Sequence, residues 1–277
     1  MDGMARDTGK TAMITGGGSG IGRELAVLLG KRGAHVAVCD LREDAAAETV
    51  ERVRAAGASA SAHALNVADA AAFQALADEL RAAHEHIDYL FNNAGIGIGG
   101  EARDLSVADW HKVLDVKLNG VVHGVAAVYP HMAERKSGHI VNTSSLDGLV
   151  PFPGHGGYTA SKYAVVGLSH ALRIEAAPLG VRVSVACPGR VKTPIYDNSP
   201  MVNYDRDKAM RIINAAPAIS PETCARRILR GMDRNQGLIL TSEFVRVLWR
   251  LERAAPELMH GAMSLALKWT PSLRQNS

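Results

Sequence analysis

The feature that most restricts the fold of this chain is a regular alternation of two kinds of segment. Short runs rich in β-branched or small apolar residues alternate with longer, alanine-rich segments that carry scattered charges. That alternation is typical of βαβ units on a parallel sheet, so we expect a doubly wound α/β fold of about seven strands. The predicted strands are Thr11–Thr15, His35–Asp40, Ala60–Val67, Tyr89–Asn92, His139–Ser144, Arg182–Ala186 and Gly237–Thr241. The predicted helices cover residues 20–32, 42–56, 69–85, 106–134, 157–178 and 221–234.

Two segments depart from the alternation within what we expect to be a single domain of residues 1–277, a length that one α/β sheet can organise. Residues 190–220 carry three prolines and are predicted to be irregular. An irregular loop of that length in a compact domain favours a substrate lid. Residues 243–277 are predicted to form a pair of amphipathic helices broken at Pro256.

The apolar side of this helical tail is too large to be left in water. It is formed by Val247, Leu248, Trp249, Leu251, Leu258, Met259, Met263 and Leu267. The body of the protein, a second subunit, a substrate or a membrane surface could cover it. Acidic residues interrupt the basic face that a membrane-surface helix needs, so membrane attachment is not expected. We expect residues 243–270 to pack on the substrate-side rim or across a subunit interface.

Charge and cysteine content exclude several other classes of protein. The 31 basic and 28 acidic residues are interleaved and leave a net charge of +3, so no basic stripe offers nucleic acid a binding track. Three cysteines share no metal-ligand spacing, which predicts no metal site and fits a reducing cytoplasm. The first residues lack the apolar core of a signal peptide, and no charge-free apolar run is long enough to predict a membrane span.

A glycine-rich turn follows the first predicted strand. It reads Thr15-Gly16-Gly17-Gly18-Ser19-Gly20-Ile21-Gly22, and its glycines let backbone N–H groups approach a pyrophosphate at the start of the next helix. Such glycines can also be purely steric, but a strand before the turn and a helix after it favour a dinucleotide site.

Asp40 ends the second predicted strand, where a carboxylate binds the adenosine ribose 2′-hydroxyl and repels the 2′-phosphate of NADP. Arg42 could pair with that phosphate, but the carboxylate occupies the hydroxyl position directly. The sequence therefore favours NAD over NADP as the cofactor.

Tyr158 and Lys162 lie one turn apart on one face of the predicted helix 157–178. A phenol with a pKa near 10 does not readily lose its proton at neutral pH. A lysine ammonium and a nicotinium charge beside it favour the phenolate, which makes the phenol a workable acid–base group.

Five motifs in order resemble the classical short-chain dehydrogenase/reductase (SDR) family. They are the T-G-x-x-x-G-x-G turn, Asn92-Asn93-Ala94-Gly95, Ser145 placed 13 residues before Tyr158, the Y-x-x-x-K of Tyr158 and Lys162, and Cys187-Pro188-Gly189. The resemblance covers residues 10 to about 195. It implies a Rossmann-type fold, a nicotinamide cofactor and a Ser-Tyr-Lys catalytic group.

By that resemblance Tyr158 is the acid–base, Ser145 holds the substrate oxygen, and Lys162 binds the nicotinamide ribose while lowering the pKa of the tyrosine. Asn66 and Val67 would flank the adenine, and the segment after Cys187 would surround the nicotinamide carboxamide. Together with Tyr158 and Lys162, the expected cofactor contacts are Gly16, Gly18, Ser19, Gly20, Ile21, Gly22, Asp40, Asn66, Val67, Asn93, Ala94, Gly95, Thr143, Pro188, Gly189, Val191 and Thr193.

One position departs from the family pattern. The family usually carries an asparagine three residues before the glycine of the long fourth helix, where it completes a proton relay through a water. That place is Lys117 here, and an asparagine appears instead at Asn119. Two residues turn a regular helix by about 200°, so Asn119 faces elsewhere unless the helix is distorted. The relay could use a backbone carbonyl at this place, or it could be modified.

The function expected from these residues is NAD-dependent hydride transfer with a hydrophobic secondary alcohol or ketone. An apolar wall is predicted between the catalytic serine and tyrosine, and further apolar groups on the lid; these residues are Leu149, Val150, Pro151, Phe152, Ile195, Tyr196, Met201 and Met210. Asp147 and His155 could anchor a polar substituent or could be solvated. The alternative function is a non-catalytic nicotinamide-binding regulatory or scaffold protein of the same fold.

A homodimer or homotetramer is expected as well. By the same family resemblance, the long fourth helix and the helix of Tyr158 often pack against their counterparts in a partner subunit. The fourth helix carries an apolar stripe that fits such a contact, formed by Val121, Val122, Val125 and Val128.

Overall fold

A parallel sheet of seven strands lies at the centre of the computed structural model, which describes residues 6–269 and Leu273. The described residues form nine strands, seven in this sheet and two in a smaller one. They are β1 (Thr11–Thr15), β2 (His35–Asp40), β3 (Ala60–Ala64), β4 (Tyr89–Asn92), β5 (Gly138–Thr143), β6 (Val181–Cys187), β7 (Arg190–Val191), β8 (Ala218–Ile219) and β9 (Leu238–Leu240). The sheet order is β3-β2-β1-β4-β5-β6-β9, and β7 pairs with β8 in a separate two-stranded sheet. The chain reverses its direction of travel across the sheet between β1 and β4, and ligands bind beyond the carboxyl ends of strands at such a point.

Helices cover both faces of the sheet. They are α1 (Gly20–Gly30), α2 (Glu43–Ala55), α3 (Ala70–His84), α4 (Val107–Leu114), α5 (Gly120–Glu134), α6 (Gly156–Ala176), α7 (Arg206–Ala215), α8 (Pro221–Asp233), α9 (Glu243–Ala254) and α10 (Pro256–Trp269). One apolar cluster joins the sheet to α1, α2 and α8, and another joins it to α3, α5 and α6. Because both faces are covered, the central strands read as apolar runs rather than as alternating patterns.

Most predicted elements are confirmed within a residue or two, but β3 is shorter than predicted. It ends at Ala64 and not at Val67, since the last paired residue of its neighbour β2 is Asp40, opposite Ala64. Beyond that point there is no partner strand to extend the ladder.

The predicted helix 106–134 is also wrong as a single regular element. A π-helical segment, Asp115–Asn119, separates α4 from α5. A π-segment changes the angular position of the residues that follow it, and such segments are frequent at functional sites.

The segment 190–220 was predicted to be irregular, and this is wrong. It contains β7, β8 and the helix α7, whose first turn is capped by the Asp205 side chain, which accepts a hydrogen bond from the Lys208 N–H. Only Ala209 of α7 is fully buried, so the helix lacks the strong apolar periodicity that would have predicted it.

The helical tail is confirmed as far as the described residues reach. Its break falls at Ala255, and Pro256 is the first residue of α10, a position where the missing N–H of proline is not needed. Residues 270–272 and 274–277, and the side chains of Leu267, Lys268 and Trp269, lie outside the described part of the chain.

The tail covers the body of the protein. Val245 is fully buried, and other tail side chains pack on the same apolar cluster, which includes Val121, Val150 and Val165; these tail residues are Leu248, Trp249, Met259 and Met263. At the far end the Leu273 carbonyl accepts a hydrogen bond from the Asp205 N–H, at the start of α7. Within the described residues, no helix combines the length and apolar character that crossing a bilayer requires.

The apolar stripe on which the expected oligomer depended is mostly internal. Val121 and Val128 are buried, and Val125 packs against the core cluster of α3 and α5. Val122 is the member of the stripe that remains exposed. The homo-oligomer therefore stays a prediction without that surface as its support.

Replacing Val245 by Ala should destabilise the protein by about 2 kcal/mol, because two buried methyl groups are lost and a cavity remains. The matched change Val247→Ala, on the same helix but at a position 52% exposed, should alter the free energy of unfolding by less than about 0.5 kcal/mol. Urea unfolding of both variants measures this difference. Equal effects would show that α9 is not docked on the body of the protein.

Candidate active site

The glycine turn after β1 is packed against the chain that leaves β4. Gly16 has a φ of +64°, and a Cβ placed there would lie 2.7 Å from the Ala94 Cα. A side chain at this position would meet both a disfavoured backbone conformation and a backbone neighbour. The turn leads directly into α1, whose N-cap is Ser19. Backbone N–H groups at the start of α1 can therefore reach an anion closely.

Partly buried hydrogen bonds hold this turn in register with the loop that follows β4. The Thr15 hydroxyl oxygen accepts the N–H groups of Asn93 and Ala94, at 3.0 and 3.1 Å. The Asn93 amide donates in turn to the carbonyls of Thr15 and Gly16. Asn93 therefore fastens the glycine turn, and so does Thr15, the first residue of the T-G-x-x-x-G-x-G motif, through its hydroxyl.

Asp40 lies at the end of β2 beside the same turn. One carboxylate oxygen accepts the Gly18 N–H at 2.9 Å, and the other accepts the Arg42 N–H at 3.1 Å. The carboxylate is only partly buried. It is therefore anchored at the edge of the turn, where it can accept a hydrogen bond from a ribose hydroxyl.

The other predicted cofactor residues also lie at the carboxyl edge of the sheet. Val67 is buried, and its carbonyl accepts a hydrogen bond from the His123 ring. Asn66 uses its side-chain oxygen to accept the Ala68 N–H. Thr193 lies against the glycine turn, since a Cβ at Gly20 would fall 2.9 Å from its Cγ2.

The backbone on the nicotinamide side connects β6 to the segment after β5. The Pro188 carbonyl accepts the Leu146 N–H at 2.7 Å, and the Thr193 N–H donates to the Val191 carbonyl at 2.8 Å. Gly189 packs against Val245 of α9. The sheet edge that carries Ser145 therefore also carries the predicted residues Pro188, Gly189, Val191 and Thr193.

Tyr158 and Lys162 extend from α6 toward that edge. The Lys162 amine donates a 2.6 Å hydrogen bond to the Thr143 carbonyl at the end of β5 and lies 5.9 Å from the centre of the Tyr158 ring. Burial lowers the pKa of Lys162 to about 8. Burial, and then the Asp147 carboxylate, raise the pKa of Tyr158, whereas a hydrogen bond with Ser145 opposes them.

Buried hydrogen bonds join α6 to β4 and β5. The Asn92 amide donates to the Asn142 side-chain oxygen at 2.9 Å, and the Asn142 amide donates to the Ser169 hydroxyl at 3.0 Å. The Ser144 hydroxyl donates to the Lys162 carbonyl at 2.8 Å. Together they align the helix of Tyr158 with the strand that precedes Ser145.

Asp147 and His155 form a hydrogen-bonded pair beside the serine. The Asp147 carboxylate accepts the Ser145 hydroxyl at 3.3 Å and pairs with the His155 ring nitrogen at 2.8 Å. Burial lowers the pKa of His155, but the hydrogen bond and charge of Asp147 outweigh it and leave that pKa raised. Both residues were expected near the site, either as anchors for a polar substituent or as solvated groups, and their pairing with each other was not predicted.

Lys117 lies inside the site, and Asn119 does not. The Lys117 side chain is 2% exposed, and its amine lies 4.3 Å from the centre of the Tyr158 ring. Asn119 is exposed and donates to the Asp115 carboxylate. The distortion between α4 and α5 therefore does not bring the asparagine round to the family's relay position.

The predicted lid crosses the loop that follows β4. The Gly99 N–H donates to the Pro200 carbonyl, and the Val202 N–H donates to the Gly99 carbonyl. Ile195, Tyr196, Met201 and Met210 of this segment are partly buried, whereas Phe152, also expected on the substrate wall, packs against the core cluster beneath the tail. Leu149 and Val150, which were expected to line the substrate wall, are instead buried in the core cluster beneath the tail.

These residues fit a nicotinamide dinucleotide. The tight glycine turn leaves backbone N–H groups accessible, Asp40 is anchored beside it, and a phenol and two amines lie farther along the same sheet edge. When bound, a nicotinamide dinucleotide supplies the hydride acceptor or donor. No cluster of metal-ligating side chains occurs among residues 6–269.

Comparisons with known proteins agree with this geometry. A family model described as short chain dehydrogenase matches residues 10–201. The oxidoreductase SadH of Mycobacterium tuberculosis is 37% identical over 255 residues, which are 90% of this chain and 92% of that protein. Cyclohexanol dehydrogenase of Acinetobacter sp. is 37% identical over 197 residues, which are 70% of this chain and 78% of that enzyme.

Solved structures show the same fold. A short-chain dehydrogenase/reductase of Burkholderia phymatum in complex with NAD superposes with a TM-score of 0.83 at 33% identity, covering 92% of this chain and 96% of the other. A metagenomic short-chain oxidoreductase in complex with NADP gives a TM-score of 0.72 at 30% identity, covering 85% of this chain and 98% of the other. The family match, the Rossmann-type sheet and the glycine turn all agree, and the chain belongs to the short-chain dehydrogenase/reductase family of oxidoreductases.

Proposed function

We propose that this oxidoreductase transfers a hydride between NAD(H) and a hydrophobic secondary alcohol or ketone, with Tyr158 as its acid–base. The observation that carries the proposal is the convergence of Ser145, Tyr158 and Lys162 at the carboxyl end of β5, beyond the glycine turn. In alcohol oxidation the hydroxyl proton passes to the Tyr158 phenolate while the hydride leaves the carbinol carbon. Ketone reduction reverses both transfers.

Each member of the trio has a distinct task in this proposal. The Ser145 hydroxyl holds the substrate oxygen beside the phenol, which brings the reacting atoms into line. Lys162, anchored on the Thr143 carbonyl, places its amine 5.9 Å from the centre of the Tyr158 ring and would bind the cofactor ribose. A protonated amine there favours the phenolate, and the hydrogen bond with Ser145 also opposes the effect of burial on the tyrosine pKa.

The preference for NAD over NADP rests on Asp40. Its carboxylate is held by the Gly18 and Arg42 N–H groups beside the turn, so it cannot easily move aside for a phosphate. A fixed negative charge repels the ribose 2′-phosphate of NADP and accepts a hydrogen bond from the 2′-hydroxyl of NAD. Solved relatives bind either cofactor, so this local charge is the support for the preference.

The proposal of a hydrophobic substrate rests on the partly buried apolar side chains of residues 190–220. Ile195 and Met201 are partly buried there, and Tyr196 is an electrostatic neighbour of Tyr158 whose own pKa is raised by burial. One relative is named cyclohexanol dehydrogenase, and cyclohexanol is a cyclic secondary alcohol. We propose the same class of substrate for this chain.

Replacing Tyr158 by Phe should lower kcat by at least ~10² to 10⁴, because the ring stays while the transferable proton is lost. NAD binding, followed by quenching of intrinsic fluorescence, should survive. Turnover is measured by absorbance of the reduced nicotinamide with a panel of secondary alcohols that includes cyclohexanol. The control is Tyr163→Phe, an exposed tyrosine on the same helix.

Near-normal turnover in the Tyr158→Phe variant would refute the acid–base assignment. Tight NAD binding by the wild type without turnover of any alcohol or ketone would favour the alternative, a nicotinamide-binding regulatory or scaffold protein.

Replacing Asp40 by Ser should raise kcat/KM with NADP relative to NAD by at least about tenfold, since the repelling carboxylate is removed and Arg42 can then pair with the phosphate. The matched change Asp44→Ser, on the exposed first turn of α2, should leave the ratio unchanged. The kcat/KM values of both cofactors are measured with one alcohol. An unaltered ratio in the Asp40 variant would contradict the role of this carboxylate.

A further inference from the structure

Position 117 carries a lysine, which has a basic amine, where the family pattern has an asparagine, which has a neutral amide. Lys117 is the buried residue of the π-helical segment Asp115–Asn119, and the absence of a side chain at Gly95 leaves space for its amine. A Cβ at Gly95 would lie 2.7 Å from the Lys117 amine nitrogen, so a side chain there would collide with the amine. Among the described residues this amine has neither a hydrogen bond nor an ion pair. Its close polar neighbour is the face of the Tyr158 ring.

Tyr158 therefore has two amines beside it. The Lys117 nitrogen lies 4.3 Å from the ring centre and the Lys162 nitrogen lies 5.9 Å from it. Lys162 is anchored on a carbonyl, whereas Lys117 is held by packing alone. An ammonium at such a distance from a phenol favours its ionised form.

Asp147 supplies the opposing charge. Its carboxylate is fixed by the Ser145 hydroxyl and the His155 ring, and its charge favours the protonated forms of both lysines and of Tyr158. Burial, and then repulsion from Lys162, hold the pKa of Lys117 well below its usual value, while Asp147 opposes both. The titratable groups that face this cluster are Lys162 and Tyr158 of α6, Asp147 after β5, His155 before α6, Tyr196 after β7 and Cys187 at the end of β6.

We propose that Lys117 is a positioning residue that, balanced by Asp147, sets the charge of Tyr158 and replaces the neutral asparagine of the family. The inference rests on the proposed role of Tyr158 as the acid–base. Lys117 acts through the phenol and passes no proton itself. Lys117 and Asp147 are thus a compensating pair, since a second buried amine without a carboxylate would be strongly repelled by Lys162.

The direct test titrates the phenol of Tyr158 in the protein with NAD bound, because the nicotinium charge lowers the pKa of the phenol toward that of Lys117, so that the amine still carries its charge at the midpoint. Ultraviolet absorbance of phenolate is followed against pH, and the curve of the matching Tyr158→Phe protein is subtracted, so that one tyrosine is observed without turnover. Lys117→Met keeps the side-chain volume and removes the charge. Its midpoint should rise by about 1 unit or more, since loss of a neighbouring positive charge disfavours the phenolate and such charges shift a pKa by ~1–3 units.

Asp147→Asn should move the midpoint the opposite way, and the double variant should return to within about half a unit of the wild type. Because interacting groups titrate as a set, the midpoints belong to the cluster rather than to one group. Lys112→Met removes an exposed lysine from the neighbouring helix α4 and should leave the midpoint unchanged. Lys117→Asn, which restores the family residue, should shift it upward as Lys117→Met does.

The ascending limb of kcat/KM for alcohol oxidation should move with the absorbance midpoint. Unchanged midpoints in both Lys117→Met and Lys117→Asn, with both proteins folded, would overturn the inference and leave Lys117 a packing residue. If Tyr158→Phe kept its turnover while Lys117→Met still shifted the phenol, the proposed function would fail and the electrostatic inference would stand.

Discussion

The buried and partly buried hydrogen bonds at the carboxyl ends of β1, β4 and β5 hold the rest of the site in place. The Thr15 hydroxyl joins the end of β1 to the chain after β4, and Asn142 joins β4 to α6 through Asn92 and Ser169. An unsatisfied buried polar group costs about 1–3 kcal/mol, so each of these bonds opposes any slippage of one element against the next. The distance between the glycine turn and Tyr158 is consequently set by the sheet.

Much of this arrangement was predictable because it depends on local signals. The alternation of strands and helices, the glycine turn and the one-turn spacing of Tyr158 and Lys162 each follow from short-range geometry. Parallel strands place their carboxyl ends at one edge, which brings Asp40 and Ser145 to the same side of the sheet. The helix α7 was missed because its pattern is mostly polar, and the π-segment before α5 has no sequence signature of this kind.

Other features depended on contacts between distant parts of the chain. Leu149 and Val150 are apolar and follow the catalytic serine, so a substrate wall was a reasonable prediction, but the tail helices bury them from the other side. The pairing of Asp147 with His155 depends on how the chain turns before α6. Lys117 illustrates the same limit, because its departure from the family pattern was visible in the sequence while its contact with the Tyr158 ring was not.

The central claim is that hydride passes directly between a carbinol carbon and the nicotinamide. The most direct measurement uses a secondary alcohol deuterated at its carbinol carbon together with NAD in ordinary water, with mass spectrometry of the reduced cofactor. The account predicts one deuterium in the reduced nicotinamide, and none when the label is supplied only as deuterated solvent. Reduced cofactor that carries solvent label, or no substrate label, would contradict it.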